Sequence, residues 1–73
     1  MSRLPQVSGP DVVRALQKAG FSVRRQHGSH IIMRRDTPFA QTVVPNHRQI
    51  DRGTLRAILR QTDLSIDEFT KLL

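Results

Sequence analysis

Val23-Arg24-Arg25-Gln26-His27-Gly28-Ser29-His30-Ile31-Ile32-Met33 is the stretch that decides how this chain folds. From Phe21 the apolar period is two: Phe21 and Val23 alternate with Ser22 and Arg24, which predicts a half-buried strand. His27-Gly28-Ser29 supplies a short turn, and His30 to Arg35 resumes as a second strand, so the pair reads as a hairpin. Asp36-Thr37-Pro38 is a further turn. Gln41-Thr42-Val43-Val44 is then a third strand that ends by Pro45, which has no amide to give a ladder. Three antiparallel strands are the economical topology. If Ile31 and Met33 face the core, then His30, Ile32 and Arg34 share the opposite face. A bulge at Gly28 would reverse that register, and the sequence leaves the choice open. In either register His30 stands at a strand end beside a glycine turn, where solvent and a ligand's backbone can reach it.

Helical patterns flank this sheet. Ser8-Gly9-Pro10-Asp11 reads as a helix start: Ser8 caps, Pro10 fits the first turn, and Asp11 complements the positive end of the dipole. Val12, Val13, Leu16 and Ala19 follow at helical spacing, Arg14 and Lys18 lie four apart on another face, and Gly20 stops the helix with Phe21 folding back on it. After Pro45, the polar loop Asn46-His47-Arg48-Gln49 leads to Asp51, the cap of a second helix. Leu55, Ile58 and Leu59 form its buried stripe, and Arg52, Arg56 and Arg60 its basic ridge. Ser65 and Glu68 have capping-box spacing and open a short last helix through Phe69, Leu72 and Leu73. The fold class is therefore α+β: αβββα with a short C-terminal helix, in one domain spanning 1–73.

A chain of 73 residues buries only roughly 60% of its unfolded surface, which excludes a large pocket. Twelve Lys and Arg oppose six Asp and Glu, giving a net charge of +6, and every cation except Lys18 and Lys71 is arginine. Guanidinium forks suit phosphate, so a polyanion is the expected partner, against the plainer reading of a solvated basic surface. The chain has no cysteine, which removes disulfide and thiolate-metal chemistry. Met1-Ser2-Arg3-Leu4-Pro5 lacks the apolar run of a signal peptide, and no segment has the length to cross a bilayer, so the expected location is cytoplasmic with no membrane partner.

One chemistry fits these parts. RNA can be cleaved without a metal when a base takes the proton from a ribose 2′-hydroxyl, which attacks its own phosphate, while cations stabilise the charge on the phosphoryl oxygens. His30 as acid/base with Arg24, Arg25, Arg34 or Arg35 as phosphate holders is sufficient for this. His27, His30 and His47 as a zinc set is the weaker alternative, for want of acidic neighbours. Ser29 beside His30 does not form a triad, because adjacent strand residues point to opposite faces. The aromatics offer no stacking platform, and Phe39 alone reads as an exposed ring.

Gly28-Ser29-His30 after a strand, Val43-Val44-Pro45-Asn46-His47 at the exit of the third strand, Gly53-Thr54-Leu55-Arg56 with Ile58-Leu59 in the second helix, and Leu64-Ser65 with Glu68-Phe69 near the end together resemble the HicA toxin family. The likeness runs from Gly20-Phe21 to the C-terminus, and the combination is highly specific. It implies a fold like the double-stranded-RNA-binding domain, with both long helices on one sheet face. It also implies an mRNA-cleaving toxin, an mRNA interferase, of a type II toxin–antitoxin pair, with a HicB-type antitoxin as partner. The family's catalytic histidine follows the Gly-Ser pair and falls on His30; many members have a second histidine directly after it, where this chain has Ile31. His47 and Arg56 match recurrent family positions, and with Ser29 and the strand arginines they complete the expected RNA-binding set. His27 is expected to be exposed and dispensable. No cofactor or metal is expected, and the free chain is expected as a monomer or weak dimer. The alternative is a non-catalytic RNA-binding module of the same fold.

Overall fold

Ser8 opens the first helix, α1 (Gly9–Lys18), in a computed structural model that describes residues 3–73. Met1 and Ser2, which begin the stretch read for a leader, lie outside the described residues. The Ser8 hydroxyl accepts from the Asp11 amide at 3.1 Å, and the Asp11 carboxylate accepts from the Ser8 amide at 3.0 Å. Asp11 thus does more than face a dipole: it closes a reciprocal capping box. At the other end Gly20 takes φ +95°. Its amide donates to Gln17 O at 3.1 Å and that of Phe21 to Leu16 O at 2.9 Å, a Schellman closure that turns Phe21 back into the core.

Three strands follow: β1 (Ser22–His27), β2 (His30–Asp36) and β3 (Phe39–Pro45), antiparallel in the order β1-β2-β3. The third begins at Phe39, two residues earlier than the sequence pattern placed it, and ends at Pro45 as expected. Asp51 caps α2 (Arg52–Thr62), accepting from the Thr54 amide at 3.1 Å and the Thr54 hydroxyl at 2.6 Å. Ser65 and Glu68 form a second capping box at the start of α3 (Ile66–Leu72). Leu73, expected in that last helix, lies beyond it and is exposed. The layout is αβββα with a short C-terminal helix, the α+β arrangement of the double-stranded-RNA-binding domain.

The core lies on one face of the sheet. Ile31 and Met33 of β2 and Val44 of β3 meet Val12, Ala15 and Leu16 of α1, Leu55, Ile58 and Leu59 of α2, and Phe69 of α3. Each such side chain contributes about 1.5–3 kcal/mol by leaving water, so few are spare in a core this small. The helices pack most closely on β3, and this corrects the reading of β1. Phe21 is buried but belongs to the helix exit, whereas no residue of β1 is buried and Val23 is 45% exposed. On the sheet edge away from β3, β1 is exposed along its whole length and is not half-buried. The bulge also sits elsewhere than Gly28: the β1–β2 register shifts between Val23 and Arg25.

The caps give stability a direction with pH. Hydrogen bonds from Ser8, Thr54 and Ser65 hold the carboxyls of Asp11, Asp51 and Glu68 below their ordinary values. A carboxyl with a depressed folded pKa adds stability above its unfolded value, 3.8 for Asp and 4.5 for Glu, and loses it as pH falls through the folded value. Urea midpoints should therefore be flat above about pH 5 and fall as the pH drops through and below the ordinary carboxyl range. Asp51→Asn should shallow that fall, and an unchanged slope would show that its cap is not formed in solution.

Candidate nucleic-acid interface

The turn between β1 and β2 consists of Gly28 and Ser29, and only Gly28 has positive φ, at +56°. That is the pattern of a type II′ turn, which suits the twist of a hairpin and needs glycine first. A Cβ on Gly28 would meet nothing within 4 Å, so the requirement is backbone conformation, not space. The Gln26 side-chain amide donates to Gly28 O at 2.9 Å and secures the turn from within the hairpin.

Pairing settles which register holds. Ile31 and Met33 are buried, so His30, Ile32 and Arg34 face away from the helices. Directly opposite partners share a face, which adds His27 (paired with His30), Arg25 (paired with Ile32) and Ser22 (paired with Arg34) from β1. From β3 it adds Val43 and Gln41, paired with Ile32 and Arg34. The extra residue Arg24 reconciles the two ends of β1: Val23 shares the face of Met33 while Arg25 and His27 emerge on the other. One inserted residue re-aims a side chain in this way. At the turn end, His30 also pairs with Pro45, and the Asn46 amide donates to Ser29 O at 2.6 Å. The outer face carries exposed Phe39 and Val43 as well, at 68% and 43%.

The expected site residues separate into two groups. His30, Ser29 and Arg25 cluster at the turn end, with Arg24 in the adjoining bulge, and all four are exposed. His47 lies two residues past Pro45 at the same end, exposed, with its carbonyl accepting from the Gly9 amide at 2.8 Å. Arg34 shares the face but stands four residues along β2, about 13 Å away at 3.3–3.4 Å per residue. Its Nε lies 2.9 Å from Asp36 Oδ1, an ion pair without hydrogen-bond alignment. Arg35 and Arg56 are not brought to His30. Arg35 is on the core-side face, 4.7 Å over the Phe21 ring, and donates to Pro38 O at 3.0 Å and Ala19 O at 3.5 Å. Arg56 is exposed on α2, in the layer across the sheet, where it lines a recess of about 530 Å³ with Arg3, Leu4, Gln6, Arg52 and Ile66.

Charge is distributed unevenly over this surface. Asp36 is the only acidic residue in the three strands, and it lies at the far end of β2 from His30. Among the described residues Arg25 has no carboxylate partner, whereas Arg14 is paired with Asp11 at 2.6 Å on its own helix. Nor do the three histidines form a zinc set: among the described residues no three His, Cys, Asp or Glu side chains gather as metal ligands. His27 is the residue that sequence reasoning set aside. Its face follows from the register shift between Val23 and Arg25, which no residue pattern in the sequence marks.

The family model for the HicA toxin of bacterial toxin-antitoxin matches residues 9–64. The chain belongs to the HicA toxin family. The match covers α1, the whole sheet and α2, and with them every residue placed at the turn end. A HicA toxin is one half of a toxin–antitoxin system, so an antitoxin partner goes with the family. No curated protein matches this chain. Among the described residues no helix is long and apolar enough to cross a membrane.

Proposed function

We propose that this HicA toxin is a metal-independent RNA endonuclease, an mRNA interferase of the cytoplasm, with His30 as its general acid/base. The observation that carries the reading is the open face itself: His30 stands exposed at the turn end, beside Arg25 and Arg24, with the acidic side chains of the helices on the other side of the sheet. The 2′-hydroxyl gives its proton to imidazole, O2′ bonds to phosphorus, and the P–O5′ bond breaks as O5′ takes up a proton from a general acid or water, leaving a 2′,3′-cyclic phosphate and a 5′-hydroxyl. Arg25 and Arg24 neutralise the phosphoryl oxygens, and Arg34 holds a phosphate further along the strand. Ser29 and His47 contact the RNA backbone at the same end. Arg35 instead locks the exit of α1 to the sheet, and Arg56 belongs to the recess across it. A HicB-type antitoxin restrains the toxin by covering the outer face.

The test is cleavage of a long single-stranded RNA by the purified chain with EDTA present, with product ends mapped. Cutting should survive chelation and leave cyclic phosphate ends. Affinity should fall steeply with salt, and Arg25→Ala should lower the slope of log K against log salt by about one charge. RNA bound but never cut would make the chain a binding module of the same fold.

A further inference from the structure

His27 and His30 are cross-strand partners. They close a turn of two residues and both side chains stand on the outer face, exposed. From this geometry we infer that His27 is the second catalytic group of the ribonuclease reading, on which this inference rests: one imidazole takes the 2′-hydroxyl proton and the other delivers a proton to O5′.

A cleavage of this kind needs two proton transfers on opposite sides of one phosphorus. The nucleophile O2′ enters in line with the departing O5′, so base and acid must stand apart with the phosphate between them. Directly paired residues beside a hairpin turn have Cα atoms about 5.5 Å apart, with Cβ atoms at about 4.5–5.5 Å. Two imidazoles rising from such positions can splay so that each places a nitrogen about 3 Å from one of the two oxygens, as proton transfer requires. Adjacent residues on one strand cannot do this, because they point to opposite faces. Position 31, directly after His30, is therefore unable to supply the partner here, and Ile31 is buried in the core.

The backbone fixes the separation. Gly28 with φ +56° and the Gln26–Gly28 hydrogen bond hold the turn, and the Arg24 bulge gives His27 and Arg25 the same face while Val23 turns inward. Arg25 is the next residue of that face on β1, beside the phosphate position. The other charged groups sharing the face are Arg34 and Asp36, with His47 and Arg48 on the adjoining loop. The balance is complete without a further reagent: the proton lost by O2′ goes to the base, the proton gained by O5′ comes from the acid, the O2′–P bond forms and the P–O5′ bond breaks. Water then exchanges the two protons.

The experiment compares wild type, His27→Ala, His27→Gln and His30→Ala on two RNAs of one sequence. The first is plain RNA, in which the wild-type cut is mapped. The second carries sulfur in place of the bridging 5′ oxygen at that bond, so that the leaving thiolate needs no proton. On plain RNA each histidine variant should lose about 10²- to 10⁴-fold. On the sulfur substrate one of the two positions should recover to near the wild-type rate and the other should not, which assigns acid and base. Circular dichroism and RNA affinity should be unchanged in His27→Ala and His27→Gln, whose side chain is exposed. His27 variants that cut plain RNA at the wild-type rate overturn the inference and leave His30 acting alone. Loss at both positions with no recovery at either also overturns it. A wild type that cuts neither RNA removes the ribonuclease reading itself.

Discussion

His30→Ala is expected to lower RNA cleavage by about 10²- to 10⁴-fold while the fold and the affinity for RNA stay as they are. At 1.36 kcal/mol per factor of ten, that is about 3–5 kcal/mol of transition-state stabilisation carried by one imidazole. The structure separates this effect from stability. His30 is exposed at a strand end, and β2 is held by Ile31 and Met33, which the substitution does not touch. It also separates chemistry from binding, because the phosphate contacts fall to arginines whose charge the variant keeps. The decisive comparison is single-turnover cleavage beside equilibrium binding over a salt series: kcat should collapse with the salt slope unmoved. A variant that loses affinity and rate in proportion would make His30 a binding residue, and one that still cuts would place the catalytic group elsewhere on the face.

The parts of this molecule that rest on local rules were legible in the sequence. Ser8, Asp51 and Ser65 cap the three helices, Pro45 ends β3, and Leu55, Ile58 and Leu59 are buried, because capping and helical period depend on residues within one or two turns. Asp63 escaped the same reasoning: it closes α2 with φ +58°, a left-handed position usually given to glycine. Its amide donates to Arg60 O and that of Leu64 to Leu59 O.

What depended on pairing was not legible. Alternation alone placed Phe21 and Val23 on one half-buried strand, but burial of a strand depends on what covers it, and the helices sit toward β3. The site suffered more from the same gap. One extra residue at Arg24 shifts the register of β1, and with it the face on which His27 stands. Counting from Phe21 without that bulge sends His27 to the same side as Val23, away from His30. Arg35 is a different case: counted as a phosphate holder beside Arg34, it could have been set apart by alternation alone. In the fold it is one step of the pleat away, and therefore on the other side of the sheet, stacked on Phe21.

Gly9→Ala is expected to cost about 3 kcal/mol, at the upper end of overpacking penalties. The first residue of α1 lies against the exit of β3, and its amide donates to His47 O at 2.8 Å. A Cβ there would strike the Pro45 carbonyl oxygen, come to 2.9 Å from Asn46 Cα and to 3.1 Å from His47 N. All three are backbone atoms, which cannot rotate aside, so either the helix start or the loop must move. Moving the loop pulls on Asn46, whose amide holds Ser29 O at 2.6 Å, and therefore on the turn that carries His30. In a domain of this size each kcal/mol is worth about 4–8 °C, so melting should fall by about 12–24 °C. Gly53→Ala is the matched control: its Cβ would meet only Asp51 Oδ2 at 3.4 Å, and a helical alanine gains up to about 1 kcal/mol over glycine. Urea unfolding of the pair should move in opposite directions. If Gly9→Ala instead unfolds within about 0.5 kcal/mol of the wild type, inside the range of an ordinary surface change, the β3 exit yields easily and does not brace the turn. RNA cleavage by the same variant measured well below its melting temperature distinguishes a loosened site from a lost fold, because a braced turn predicts a fall in rate while the chain is still folded.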